Sequence, residues 1–299
     1  MYLTGFADEA ADTLEGQIAA TKELGWTRIE TRKLMSGNLA GLTDGEFAKV
    51  EELLAESGVS FNCYGSCVAN WSHPITEDPE SSYEEMRRAI PRMRKLGIKM
   101  IRIMSFAVPP ELKAKSWDFA DEVVRRVKTI VKMAEDAGIL CLHENCMNWA
   151  GLSFEHTLYL LDHVQSPALR LVFDTGNPVF NRDIRGKEPY HWQSSWEFYK
   201  NVREFIAHVH IKDCYVDEKG ETVFTYAGEG HGDVERILRD LYADGYDGGI
   251  SIEPHLAAVF HEKQNKDQSE ARMKQRYDSY IQYGRRLERM VREIGFKPE

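Results

Sequence analysis

Apolar and polar positions along the chain repeat one pattern. An amphipathic stretch with apolar residues three and four apart reaches a glycine, and a short apolar run rich in β-branched residues follows. KELGWTRIE, AESGVSFNC, RKLGIKMIRI and AEDAGILCLHE all carry it, with Gly25, Gly58, Gly97 and Gly138 lying 33 to 41 residues apart. Each glycine suits the left-handed position just past a helix end. The spacing suits one strand plus a crossover helix that returns the chain parallel to its start. The strands expected from this pattern are Tyr2–Phe6, Arg28–Thr31, Val59–Tyr64, Met100–Met104, Ile139–Glu144, Leu169–Asp174, Ala207–Lys212 and Gly249–Glu253. Val123, Val127, Ile130, Val131 and Ala134 mark one intervening helix, and Val234, Ile237, Leu238 and Leu241 another. Thr43 and Glu46 form a capping-box pattern, and a charged segment from Lys266 to Ile294 reads as the eighth helix with a solvated face. Eight units account for all 299 residues, with no linker or compositional break. The expectation is a closed α/β (β/α)8 barrel, one domain over residues 1–299.

In such a barrel all strands end at one rim, so residues far apart in sequence meet around a single mouth. The strand ends carry Asp8, Glu9, Glu30, Ser66, Arg102, Glu144, Asp174, His210 and Glu253. The last four fall on successive strands, in LHEN, VFDTGN, HVHIKD and SIEPH. Two glutamates, an aspartate and an imidazole form the mixed oxygen and nitrogen set that suits one divalent ion. Mn²⁺ is the first choice, with Mg²⁺, Co²⁺, Fe²⁺ or Zn²⁺ able to replace it. Three crowded carboxylates repel one another, and a cation removes that cost. The competing explanation is that each acid caps the helix after its strand.

Composition narrows the classes. Apolar residues make up 42% and charged residues 29%, enough for a packed core. The net charge of −10, with no basic stripe, argues against nucleic acid as a partner. No apolar run is long enough to span a membrane, and MYLTGFADEA lacks a basic segment followed by an apolar one, so a cytoplasmic protein is expected. Five cysteines, an odd number, suit a reducing compartment. Cys63 and Cys67 have no second pair at finger spacing and read as small buried hydrophobes.

On these residues, most densely from His143 to His255, the chain resembles the xylose isomerase-like TIM barrels. Within them it is similar to the sugar phosphate isomerase/epimerase branch that includes ketose 3-epimerases and inosose dehydratases. The resemblance implies that Glu144, Asp174, His210 and Glu253 bind one divalent metal, and that Glu144 and Glu253 are the catalytic acid/base pair. It also implies a homo-oligomer. AGEGHGD, ending at Asp233, resembles the family's glycine-bearing loop, although Asp233 also reads simply as a helix N-cap. The best-known epimerases carry histidine where DTGN has Asn177, and arginine beyond the metal-binding histidine where this chain has Lys212, which implies different substrate contacts.

A metal bridging a substrate carbonyl and its neighbouring hydroxyl would stabilise an enediolate, and two carboxylates could then move a proton from one face of the carbon to the other. Epimerisation, aldose–ketose isomerisation and dehydration all start this way. The expected function is therefore a metal-dependent sugar or keto-sugar isomerase or epimerase. The alternative on the same site is a dehydratase of a keto-inositol or keto-glycoside. A related apurinic endonuclease would use several zinc ions and more histidines, and a sugar-binding barrel would hold no metal. Candidate contacts to a small-molecule sugar are Glu30, Arg102, Asn177, Lys212 and His255. Glu30 and Arg102 could instead pair with each other, Lys212 could pair with a neighbouring acid, and His208 reads as a core histidine. Aromatic residues near strand ends, among them Phe6 and Trp149, could face a sugar or pack the loops. Pro178 to Tyr190, with Arg182, Arg185 and Lys187, could form a lid. No glycine-rich phosphate cradle supports a phosphorylated substrate.

Overall fold

The computed structural model describes residues 1–257 and 269–299. Its strands are β1 (Tyr2–Gly5), β2 (Arg28–Thr31), β3 (Ser60–Gly65), β4 (Met100–Ile103), β5 (Leu140–Glu144), β6 (Leu169–Asp174), β7 (Ile206–Ile211), the pair β8 (Asp213–Val216) and β9 (Thr222–Thr225), and β10 (Gly249–Ile252). Eight of them form one parallel sheet in the order β1-β10-β7-β6-β5-β4-β3-β2, while β8 and β9 make a separate antiparallel hairpin. The sheet curls until β1 and β2 lie side by side. No backbone ladder joins these two strands; instead the Thr4 hydroxyl donates to the Arg28 carbonyl across the seam, at 3.0 Å. The result is a nearly closed (β/α)8 TIM barrel.

The helices are α1 (Leu14–Glu23), α2 (Asp44–Ser57), α3 (Glu80–Leu96), α4 (Ala120–Asp136), α5 (Phe154–Val164), the single turn α6 (Asn177–Phe180), α7 (Ser195–Val202), α8 (Val234–Ala243) and α9 (Glu270–Ile294). Gly25, Gly58, Gly97 and Gly138 all have positive φ, between 68° and 77°, and each turns a helix end into the next strand. Thr43 and Glu46 make the reciprocal capping box that starts α2. On α4, Val123, Val127, Ile130, Val131 and Ala134 are buried against the sheet, as their spacing predicts. Burying side chains of this size stabilises the fold by about 1.5–3 kcal/mol each, so Val127→Asp would break this face. The expected last helix begins at Glu270 with Ser269 as its cap, and Lys266 lies outside the described residues. No described helix is long and apolar enough to cross a membrane.

Inside the barrel, Cys63, Leu142 and Val172 form a small apolar layer. Side chains alternate along a strand, so Glu144 and Asp174, two residues beyond Leu142 and Val172, point to the same interior but nearer the rim. The apolar layer is therefore the floor of the site. All five cysteines are free, and Cys63 is buried as expected, while Cys67 is partly exposed.

Candidate metal centre

Glu144 ends β5, Asp174 ends β6, His210 is the fifth residue of β7, and Glu253 directly follows β10. One potential ligand atom from each lies within 4.8 Å of all the others, and all four residues are buried. Their other atoms are already held. Asp174 Oδ1 accepts from the backbone amides of Gly176 and Asn177 at 2.9 and 2.6 Å. Asn177 Nδ2 donates to Glu144 Oε1 at 3.1 Å. Asn145 braces Asp174 by donating to its carbonyl and accepting from its amide. Glu144 Oε2, Asp174 Oδ2 and His210 Nδ1 are buried without a hydrogen-bond partner among the described residues. Cations lie close to two of them, Lys212 Nζ at 3.2 Å from Asp174 Oδ2 and Arg102 Nη1 at 3.3 Å from Glu144 Oε2, and a buried polar atom without a hydrogen bond is costly unless something else occupies it. Their donor types fit a divalent cation.

Glu30 lies behind this cluster. It accepts from His208 Nε2 at 2.8 Å and from His210 Nε2 at 3.1 Å, leaving His210 Nδ1 to face Glu144 Oε1 at 3.6 Å. A carboxylate on the far nitrogen fixes the ring's orientation and raises its basicity as a ligand. Burial disfavours charge on His210, but Glu30 and Glu144 outweigh it and lift the imidazole to about 10. Burial likewise opposes ionisation of Glu30, yet His210 and His208 hold it well below the usual carboxylate range. Both oxygens of Glu30, expected as a sugar contact, are engaged by the two imidazoles beneath the mouth. The suggested Glu30–Arg102 pair does not form. Arg102 Nη1 lies 3.3 Å from Glu144 Oε2, and Nη2 donates to the Ser66 carbonyl. His208 is a buried interior histidine whose Nε2 is held by Glu30, while its Nδ1 has no hydrogen-bond partner among the described residues.

Glu253 sits between two cations. Arg32 Nη1 donates to its Oε1 at 2.6 Å and Lys212 Nζ to its Oε2 at 2.8 Å. Burial again opposes charge, but Lys212, His255 and Arg32 keep this carboxyl well below the normal range. Glu144 is lowered too, as Arg102 and His210 overcome its burial. Asp174 moves the other way, to about 6, because burial and the neighbouring Glu253 and Glu144 outweigh Lys212.

Arg32 is the residue that sequence reasoning missed. Its guanidinium also reaches both oxygens of Asp8, at 3.0 and 3.2 Å, and Glu9 Oε1 at 3.3 Å. It lies two residues beyond Glu30 and so on the same side of the extended chain, which is the signal that could have found it. Glu9 in turn accepts from the His255 backbone amide at 2.8 Å and contacts its Nδ1 at 2.9 Å, so His255 stands beside Glu253. Phe6 packs edge-on against His210 with ring centroids 5.1 Å apart, and Arg32 lies over its face at 4.4 Å. His143 turns away from Glu144 and bonds Ser105 and Asn148, and burial lowers it to about 4. Trp149 is fully buried and donates to the Ser116 carbonyl, which makes it loop packing.

Two loop expectations resolve differently. Asp233 occupies the N-cap position of α8 but with φ at 51° and no side-chain capping bond, so the simple capping role fails. The loop before it is organised by Asp213, whose carboxylate accepts from the amides of Gly228, Gly230 and Gly232. In the expected lid, Arg185 pairs with Asp183 and Glu197, and Arg182 stacks on Trp192 at 3.3 Å. Arg185 thus ties the loop to α7, and both arginines are engaged away from the mouth's four candidate ligands.

The xylose isomerase-like TIM barrel family matches residues 18–276, and the chain belongs to it. Solved structures with the same fold include a D-tagatose 3-epimerase-like protein, 18% identical over 98% of each chain with a TM-score of 0.71. An IOLI protein with a bound zinc atom is 16% identical over 99% of this chain and all of its own, at 0.72. The probable 3-DHS dehydratase AsbF of Bacillus anthracis is 16% identical over 96% of this chain and 99% of its own, at 0.67.

Proposed function

We propose that this xylose isomerase-like barrel is a divalent-metal-dependent isomerase or epimerase of a sugar or keto-sugar, with Mn²⁺ as its metal. The reading rests on one observation above the rest. Four buried residues on four successive strand ends each bring a ligand atom within 4.8 Å of the others, and three of these residues keep an atom without a hydrogen bond among the described residues, with only the cations Lys212 and Arg102 near two of those atoms. Glu144, Asp174, His210 and Glu253 would hold the ion. Once bound, it would draw charge from a substrate carbonyl and its adjacent hydroxyl, easing loss of the neighbouring proton.

The remaining chemistry belongs to the chain. Glu144 and Glu253 come from the fifth and eighth barrel strands and approach the mouth from different sides. One takes a carbon-bound proton, and the other returns a proton to the opposite face or the adjacent carbon, through an enediolate of the substrate. Arg102, Asn177, Lys212 and His255 surround the two carboxylates and are the proposed contacts for substrate oxygens. The buried pairing around them limits water at the reacting carbon.

Turnover of a panel of keto-sugars in D₂O, with Mn²⁺ restored to chelator-treated protein, tests the reading. Deuterium at the inverted or adjacent carbon is expected by NMR. Full retention of the original hydrogen in a product formed at full rate would remove both glutamates from proton transfer. Loss of water from the substrate would identify a dehydratase on the same residues.

A further inference from the structure

The ammonium of Lys212 occupies a position that the proposed metal reading needs. Each of the two carboxylates it contacts has one oxygen already committed: Asp174 Oδ1 to two backbone amides, Glu253 Oε1 to Arg32. Lys212 Nζ takes the other oxygen of each, lying 3.2 Å from Asp174 Oδ2 and 2.8 Å from Glu253 Oε2. Those are the oxygens with which the pair would face an ion shared with Glu144 and His210.

The lysine is held there by more than charge. Its backbone amide donates to Thr175 Oγ1, which donates back to the Lys212 carbonyl at 2.7 Å. A Cβ at Gly176 would stand 2.8 Å from Lys212 Cγ and 3.0 Å from its carbonyl oxygen, so the absence of a side chain at 176 clears the path for the stem. The residue is nearly fully buried.

We propose that Lys212 is a built-in competitor of the metal: its ammonium keeps Asp174 and Glu253 paired until a divalent cation displaces it toward the mouth. The inference rests on the reading of Glu144, Asp174, His210 and Glu253 as a metal site, and it goes beyond that reading by assigning a cost to loading. Removing one positive charge next to a doubly charged ion strengthens binding. A lysine that merely positioned the two carboxylates would weaken binding when lost.

Calorimetric titration of chelator-treated protein with Mn²⁺ alone separates these cases, because no substrate or turnover is involved. Lys212→Met and Lys212→Gln are both expected to bind Mn²⁺ about tenfold more tightly than wild type, or better. Equal or weaker binding by the folded variants overturns the proposal while leaving the metal site standing. No binding by wild type or either variant overturns the metal reading and the proposal together. Should neither variant fold, wild type decides the matter through trace reductive methylation mapped by peptide mass. Lys212 is expected to be protected in stripped protein and labelled several times faster with Mn²⁺ bound; labelling that does not change on loading overturns the displacement.

Discussion

The mouth of the barrel has two contiguous arcs that handle buried charge differently. On β5, β6, β7 and β10, the strand ends present Glu144, Asp174, His210 and Glu253, and three of these residues keep an atom without a hydrogen-bond partner among the described residues. On β1 to β4 and the turns after them, Asp8, Glu9, Glu30, Arg32 and Arg102 spend their charge on partners. Glu30 and Glu144 make the contrast sharpest. Both are buried glutamates on barrel strands, yet Glu30 has its two oxygens taken by imidazoles, whereas Glu144 leaves Oε2 only a looser 3.3 Å approach to Arg102. Of these two glutamates only Glu144 keeps an oxygen short of saturation, and the first arc supplies partners that fix the second, as Arg32 does for Glu253 and Glu30 for His210.

The largest effects should come from the second arc. Glu144→Gln and Glu253→Gln keep shape but lose the exchangeable proton, so each is expected to lower kcat about 10²–10⁴-fold with an unchanged circular dichroism spectrum. Near-normal kcat for either variant on a verified substrate would dissolve the distinction between the arcs at that residue.

The second arc should also be the acid-sensitive one. His143, next to Glu144 on β5, and His156, on the following α5, are each lowered to about 4 by burial, well under the ordinary value of 6.5. Their contribution is complete above pH 6.5 and is lost as pH falls toward 4, because the unfolded chain takes up the proton first. By pH 5 this amounts to about 2 kcal/mol per histidine. Asp174, raised to about 6, opposes the loss by about 1 kcal/mol, since its folded form takes the proton first. Urea unfolding at pH 6.5 and 5.0 should show the decline, and His143→Gln should make it shallower by about 2 kcal/mol. An equal decline in that variant would show that His143 does not carry the effect.

A smaller change, on metal affinity, should follow from the first arc. Glu30→Gln removes the carboxylate behind His210 and is expected to weaken Mn²⁺ binding by about 10–100-fold without abolishing it. Unaltered affinity in calorimetry would make Glu30 a mere packing partner. Smallest of all, Thr4→Val deletes the hydroxyl bridging the β1–β2 seam and should cost about 1 kcal/mol in urea unfolding. Its Mn²⁺ affinity should match wild type, and a marked drop would mean that the seam transmits strain to the site.

Much of this frame was legible from residue pattern. Glycine punctuation and apolar periodicity located all eight barrel strands to within a residue or two, because both report local backbone requirements. The strand-end rule then brought Glu144, Asp174, His210 and Glu253 together without any knowledge of their distances. What escaped was pairing. Alternation places Glu30 inside the barrel, but nothing local says that two histidines about 180 residues away will cover both its oxygens. Arg32 escaped for the same reason, since its carboxylate partners come from the turns after β1 and β10. The β8–β9 hairpin was missed because its short strands lack the glycine-led phrase that marks the others.

The close approach at Gly176 ties two positions into one evolutionary unit. Its missing Cβ is what lets the stem of Lys212 pass, although 36 residues separate them in the chain. A lineage that acquired alanine at 176 would have to move the backbone at 212 as well as its side chain, since the Lys212 carbonyl stands nearly as close to that position as its Cγ. A redesign of the mouth that places a side chain at 176 therefore begins with a collision at 212.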